Sequence, residues 1–455
     1  MLVKNQEILL EITSISEEGT GIGHTGEGMT VFVTDAVPGD EIIAHITKVK
    51  KTYAFAFPVK IIRASENRVK EVCPVSKKCG GCSLMHISYE EQLKIKQRKV
   101  YDCIKRIGGI ENPVMEEIIG CESPFFYRNK AQFPVANDKE QNAVIGFFRK
   151  RSHDVVENTK CYIQAGLNET VMEIIRDFLN EFKIPAYDEE KGKGLVRHIF
   201  TRIGFNTKEV MVCLVCNGED MDRWEILRDR LKASIEEEGY IFKSFLLNVN
   251  RENTNVILGK KTKTLYGRAF IEDYIGDIKY RISPLSFYQV NPYQTKKLYE
   301  KAKEYAGLTG KETVWDLYCG IGTISNFIAG DAFKVYGVEI VPEAINDAKI
   351  NAKLNNIENT HFLAGAAEDL ADSLPKPDVI IVDPPRKGLD EKLLKTIIKV
   401  NPKRLVYVSC DPATLARDIK YLSLEGYFPD KICPVDQFPQ TMHVETVVLL
   451  SKVSK

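Results

Sequence analysis

In Arg404–Asp418, RLVYVSCDPATLARD, apolar and aromatic residues run straight into Cys410, and Asp-Pro follows. A thiol at the carboxyl end of a buried strand, just ahead of a turn signal, stands at the rim of the crevice that an open α/β sheet forms. Two carboxylates take comparable places: Asp383 ends the apolar run of IIVDPPRKG (380–388), and Glu445 enters the strand of TMHVETVVLL (441–450). A lone buried cysteine is more often a small inert hydrophobe, so its company decides the reading. A thiol with two rim carboxylates suits methyl transfer to carbon 5 of a uracil. That carbon is too weak a nucleophile to act unaided. A thiolate on carbon 6 makes the ring an enolate, and after transfer a base removes the carbon 5 proton so that the thiol can leave. Cys410 would be the nucleophile, Glu445 the base and Asp383 the group fixing the uracil edge. A free thiol titrates near pH ~8.5, so the pocket has to favour the thiolate. His443 is a candidate helper, although a half-buried strand histidine is an equally good reading.

A cofactor turn lies upstream. In VWDLYCGIGT (314–323) a buried strand enters Gly320-Ile-Gly322 and then a helix, whose first N–H groups are unpaired. Glu339 ends the next strand, where a carboxylate reaches both hydroxyls of a ribose. A dinucleotide site would want a third glycine, and that position holds Ser325. The missing glycine shifts the expectation from NAD to S-adenosylmethionine, which has no pyrophosphate to seat.

Eleven cysteines in a chain expected to carry no secretory signal need a reading other than disulfides. Cys73, Cys79 and Cys82 lie together in CPVSKKCGGCSLMH, and Cys161 follows in NTKCYI. Three thiols on a Gly-Gly turn plus a fourth delivered by folding make a chelate. The spacing says metal without saying which. Cys213 and Cys216 form C-x-x-C inside EVMVCLVC, a strand in which residues three apart face opposite ways, so both are read as core. Cys103, Cys121, Cys319 and Cys433 receive the same reading.

The elements that must position these groups follow from patterning. The 455 residues suggest about three domains at ~150 residues each. Lys+Arg and Asp+Glu number 63 each, which excludes binding driven by bulk positive charge. No apolar run reaches the ~20 residues that span a bilayer, and the expected location is cytoplasmic. Residues 1–62 read as short strands with Gly and Pro turns, a small closed barrel. Its five lysines face eight carboxylates, so any RNA contact is confined to one face. Residues 63–282 are mixed α+β, with helices at 89–107, 169–182 and 224–238. Basic residues interleave with aromatics at Arg128–Lys130, Phe147–His153 (FFRKRSH) and Arg197–Arg202 (RHIFTR), mixtures that suit phosphate neutralisation and base stacking. Residues 283–455 alternate strands and helices, an α/β Rossmann-like, mainly parallel sheet.

The first 62 residues resemble the TRAM module, an OB-like RNA-binding barrel. Further on, FYQVN (287–291), DLYCGIGT, VDPPRKG, SCDPATLARD and HVETVVLL occur in the order seen in RNA uracil-C5 methyltransferases, and YRNKAQFP (127–134) and the cysteine set fit too. The resemblance implies that Gln289, Tyr318, Glu339 and Asp383 line an S-adenosylmethionine site together with the Gly320/Gly322 turn. Thr323 stands where some members carry a cofactor-binding asparagine. It also implies Cys410 as nucleophile, Glu445 as proton acceptor, and a [4Fe–4S] cluster on Cys73, Cys79, Cys82 and Cys161. The expected architecture is multidomain: an N-terminal barrel, an α+β central domain with the cluster, and a C-terminal methyltransferase domain. The expected substrate is a flipped uridine of 23S rRNA, met by a monomer with no membrane or DNA partner. Phe287 is a candidate wedge for the flipped base. Three rivals remain. One is a tRNA uracil-C5 methyltransferase. Another is an amino-group methyltransferase, for which Arg386 sits where a stacking aromatic belongs. The third is a non-catalytic RNA-binding iron–sulfur protein.

Overall fold

The computed structural model describes residues 2–452. They begin with a closed barrel of β1 (Glu7–Ile15), β2 (Gly21–His24), β3 (Thr30–Val33), β4 (Glu41–Val49) and β5 (Tyr53–Arg63), in the order β1-β2-β3-β5-β4. Alternation builds it. Leu10, Ile12, Val31 and Ile42 fill the lumen, and Ala44, Ala54 and Ala56 keep it narrow enough to be filled by side chains alone. Helix α1 (Tyr89–Arg106) follows.

The next sheet contains β6 (Lys130–Asn137), β7 (Ala143–Phe148), β8 (Val155–Glu157), β9 (Val196–Ile203), β10 (Glu209–Cys216), β11 (Ile241–Val249) and β12 (Lys261–Gly267), ordered β12-β11-β10-β9-β6-β7-β8. Helices α2 (Asn168–Glu181) and α3 (Trp224–Glu237) cover one face. The other face packs on the hairpin of residues 271–282 and shares a core with the C-terminal part, so β9 and β10 are buried along their whole length. This explains why neither strand alternates polar with apolar. Cys213 joins the core shared with the C-terminal sheet and Cys216 the core beneath the helices, the opposite-face placement expected of a strand pair three apart.

Double burial also corrects one expectation. Arg197 and Arg202 of RHIFTR are buried rather than open to RNA. Arg197 donates to the carbonyls of Asn250 and Glu252 at 3.1 and 2.7 Å, and Arg202 donates to the carbonyl of Ser286.

The C-terminal part opens with the hairpin β13 (Ile271–Ile275) and β14 (Ile278–Ile282) and helix α4 (Pro292–Ala306). It continues through β15 (Thr313–Leu317), α5 (Thr323–Ile328), β16 (Lys334–Glu339), α6 (Pro342–Leu354), β17 (Thr360–Ala364), α7 (Ala367–Leu370), β18 (Val379–Val382) and α8 (Glu391–Val400). It ends with β19 (Arg404–Ser409), α9 (Pro412–Leu424), β20 (Tyr427–Val435) and β21 (Glu445–Lys452). The strand order is β17-β16-β15-β18-β19-β21-β20. Five strands are parallel, and β21 runs antiparallel to both neighbours. Strand order reverses direction between β15 and β18, where such a sheet opens its ligand crevice.

Cores do not follow chain order. Val100, Cys103 and Ile104 of α1 pack with Leu415, Ile419 and Leu422 of α9, and residues 115 and 119 bridge to the outer edge of β20. A buried ion pair locks α1 in place: Lys96 Nζ lies 2.5 Å from Asp436 Oδ1, both side chains fully buried, and Tyr89 donates to Asp436 at 2.8 Å. Lys96→Met leaves that carboxylate buried without its cation, which costs about 3–5 kcal/mol. The expected readout is a marked fall in the denaturation midpoint, and an unchanged midpoint would show that the pair is idle. Among the described residues no helix is long and apolar enough to cross a membrane.

Candidate active site

Three carboxyl ends of strands meet at the reversal point. β19 ends at Ser409, and the turn beyond it is fixed by Asp411, whose side chain accepts from the amides of Ala413 and Thr414 at 2.9 and 3.0 Å, with Pro412 starting α9. Cys410 is thereby held at the sheet rim, partly exposed, whereas Cys103, Cys121, Cys213, Cys216, Cys319 and Cys433 are buried. Register brings Glu445 to it. β19 and β21 pair as Arg404 with Ser451 through Ser409 with Thr446, so Cys410 and Glu445 are the residues just beyond the last pair of that ladder. The nucleophile and base expected from the sequence therefore flank the same end of the β19–β21 pair.

Electrostatics agree with that proximity. Burial pushes the Cys410 thiol up to about 12, with the charges of Glu445 and Asp383 adding to it and Arg386 opposing. Burial pushes Glu445 up to about 8, Asp383 raising it further and Arg386 again opposing. Asp383 is pushed to about 7 by burial and by Asp316. Glu445 Oε2 is buried without a hydrogen-bond partner, an acceptor available to a guest.

The glycine turn takes the expected shape. Tyr318, Gly320 and Gly322 all have positive φ, 68°, 55° and 75°. A Cβ on Gly322 would meet Phe362 at 2.9 Å, whereas one on Gly320 would meet nothing within 4 Å, so the turn is open where a ligand must approach. Glu339 at the end of β16 accepts from the amides of Gly320 at 3.3 Å and Val341 at 3.0 Å, tying its carboxylate to the rim of the turn. Open glycine backbone beside a fixed carboxylate fits an adenosyl ligand. Thr323 is engaged on the core side: its hydroxyl accepts from Tyr299 at 2.9 Å and its carbonyl from Tyr280 at 2.8 Å. Gln289 is buried ahead of α4, and its segment is docked by Asn129, whose side chain donates to the Gln289 carbonyl at 3.0 Å and whose amide donates to Val290 at 2.8 Å. Phe287 stands beside it, two-thirds exposed.

Two members of the site escaped the sequence reading. Asp316 is buried in β15, takes a 2.5 Å hydrogen bond from Ser325, and is pushed up to about 7 by burial. Its signal was an acid inside an otherwise apolar strand. Arg386 reads in the sequence only as a missing aromatic, yet its charge lowers both Cys410 and Glu445. His443 is exposed and sets its ring edge-on against Phe438.

The remaining thiols gather elsewhere. Cys73, Cys79, Cys82 and Cys161 line one cavity of about 250 Å³, with Arg128 and Lys130 at its wall. Burial raises all four, Cys161 to about 11, and neighbouring thiols add to the rise at Cys79, Cys82 and Cys161. Among the described residues no group of three or more His, Cys, Asp or Glu is placed to hold a metal ion.

Comparison with known proteins sets this site in context. The family model described as tRNA (Uracil-5-)-methyltransferase matches residues 88–379 and 376–453, and the TRAM domain model matches 2–59. An uncharacterized RNA methyltransferase of Clostridium acetobutylicum is 47% identical over 99% of this chain and 98% of its own. Another from Halalkalibacterium halodurans is 47% identical over 98% and 97%. Among solved structures, the Pyrococcus abyssi tRNA (uracil-54, C5)-methyltransferase in complex with S-adenosyl-L-homocysteine superposes with a TM-score of 0.78. It is 30% identical, covering 97% of this chain and 99% of that one.

Proposed function

We propose, because the chain belongs to the tRNA (Uracil-5-)-methyltransferase family and carries a TRAM domain, that it converts uridine to 5-methyluridine in RNA through a covalent adduct on Cys410. The observation that carries the reading is a partly exposed rim thiol whose charged neighbours are Asp383 and Glu445, the latter with a buried, unpartnered Oε2.

S-adenosylmethionine, when bound at the Gly320/Gly322 turn, supplies the methyl group and leaves as its neutral thioether. The chain's own residues do the rest. Glu339 holds the ribose, with Gln289, Tyr318 and Asp383 lining the site. The Cys410 thiolate bonds to carbon 6 of the uracil, the C5=C6 electrons shift to form a C4=C5 double bond, and the C4=O electrons move onto the exocyclic oxygen at carbon 4. Asp383 fixes the uracil edge while carbon 5 takes the methyl group. Glu445 then accepts the carbon 5 proton, the C5=C6 bond re-forms, and the thiolate departs. Arg386 is the cation that opposes the two carboxylate charges felt by the thiol.

The RNA is proposed to be large-subunit (23S) ribosomal RNA, from the resemblance to cluster-bearing relatives with a TRAM barrel. Transfer RNA is the second reading, favoured by the end-to-end likeness to the P. abyssi tRNA enzyme. Mapping 5-methyluridine in both RNAs from a deletion strain separates them. A uridine lost from rRNA alone supports the first, and one lost from tRNA alone the second.

A [4Fe–4S] cluster is proposed on Cys73, Cys79, Cys82 and Cys161. A four-iron cluster takes each thiolate on a different iron, which suits four thiols spread around one cavity. It would cross-link the 73–82 loop to Cys161 and supply no step of the reaction. Anaerobically purified protein is expected to carry about four irons per chain, and one zinc per chain would contradict the assignment.

A further inference from the structure

Nine residues, 436–444, join β20 to β21 and deliver the chain to Glu445. Much of what holds them comes from the other half of the molecule. Lys96 donates to the carbonyl of Phe438 at 3.0 Å and Lys99 to that of Met442 at 3.2 Å. Tyr127, almost wholly buried, donates to the carbonyl of Pro439 at 3.0 Å. The densest contacts fall on Gln440. Its carbonyl accepts from the amides of both Ser83 and Leu84 at 3.0 Å. Its amide donates to Gln92 Oε1 at 3.0 Å, and its side-chain oxygen accepts from Gln92 Nε2 at 3.1 Å. The Met442 amide donates to Ser83 Oγ at 3.2 Å, and the Met442 side chain packs with Val37, Leu84 and Ile87. Gln440 itself sits at φ +69°, a left-handed conformation that a residue with a side chain keeps only where its surroundings impose it.

We propose that Gln92 and Tyr127 are positioning residues for the catalytic base: together with the Ser83–Leu84 amides they clamp Pro439–Gln440, and the clamp sets where Glu445 enters β21. The inference rests on the reading of Glu445 as the proton acceptor. Glu445 itself pairs with Val435 of β20, and the residues after it continue the ladder with β19 and β20. On its near side only five steps of chain separate it from Gln440, so loosening the clamp frees the carboxylate but leaves Cys410 on its own capped turn. Methyl transfer and release of the adduct should therefore separate. The residues after Cys82 thereby take part in the last step of the reaction, although none of them lies next to Cys410 or Glu445 in sequence.

The test uses the full-length chain, ordinary uridine-containing substrate RNA and S-adenosylmethionine in single-turnover quench experiments. Appearance of methyl label in RNA is followed separately from decay of the denaturation-resistant protein–RNA adduct. Gln92→Leu and Tyr127→Phe are each expected to methylate within about twofold of the parent but to release the adduct at least about tenfold more slowly, because general-base catalysis acts only on the second step. Tyr127→Phe removes a single oxygen, so it remains informative if Gln92→Leu does not fold. Release at the parental rate in Tyr127→Phe and in any folded Gln92→Leu, or equal slowing of both steps, overturns the proposal. Glu445→Gln run in parallel keeps the two ideas apart. If it traps adduct while the clamp variants do not, the clamp fails and the base stands. If it turns over normally, the base reading itself is lost.

Discussion

Cys410→Ala is expected to abolish 5-methyluridine formation, a loss of at least ~10⁴-fold, or more than ~5 kcal/mol of transition-state stabilisation. Without the bond to carbon 6 the ring never becomes an enolate, and carbon 5 keeps too little electron density to attack the methyl group. The adduct with RNA containing 5-fluorouridine, which has no carbon 5 proton to surrender, should disappear from denaturing gels with the activity. RNA affinity should stay near the parental value, since the thiol is one small group at the rim. An alanine variant that still methylates would remove covalent catalysis from the proposal. The parent enzyme should show a pH signature of the same group. Burial with Glu445 and Asp383 pushes the thiol up to about 12, so it is protonated at neutral pH and its thiolate fraction grows tenfold for each unit of rise. Adduct formation under single-turnover conditions should climb with pH across the neutral range. A rate flat from pH 6 upward would mean that substrate binding lowers the thiol before attack.

The site was legible in the sequence to the extent that chemistry sits at strand ends. Cys410, Asp383 and Glu339 each close an apolar run, and parallel strands bring such ends to one rim whatever their separation along the chain. Glu445 was legible as a strand entrance, but its place at the same ladder end as Cys410 was not. That placement depends on β21 running antiparallel beside β19, and β20, the other arm of that hairpin, carries Pro429, Asp430, Lys431 and Pro434, which blunt the strand pattern. Burial on both faces was equally hidden. Arg197 and Arg202 look like surface cations because nothing local shows that β9 is covered by helices on one side and a second sheet on the other. One nitrogen of each guanidinium donates to backbone carbonyls far along the chain, contacts that only folding creates. Cys213 and Cys216 were readable because strand periodicity alone decides that they face opposite ways.

Glu445→Gln is expected to trap the reaction one step later. Thiol attack and methyl transfer need no proton acceptor at carbon 5, so the variant should still methylate ordinary uridine. It should then hold the methylated RNA as a covalent complex, with release slowed by about 10²–10⁴-fold, the usual reach of a positioned general base. Glutamine keeps the shape of the side chain and removes a carboxyl whose Oε2 has no partner in the resting protein, so folding should be undisturbed. The pH dependence fixes the assignment more firmly than the rate. Burial raises Glu445 to about 8, Asp383 adding to the shift and Arg386 opposing it. A raised carboxyl is protonated, and useless as a base, below that value. Release by the parent should therefore accelerate as pH rises toward about 8 and level off above it, while the glutamine variant shows no such rise. Arg386→Ala sharpens the test. Removing the opposing cation pushes the carboxyl higher still, so the rise in release should move to more alkaline pH; an unmoved profile would place the titrating group elsewhere.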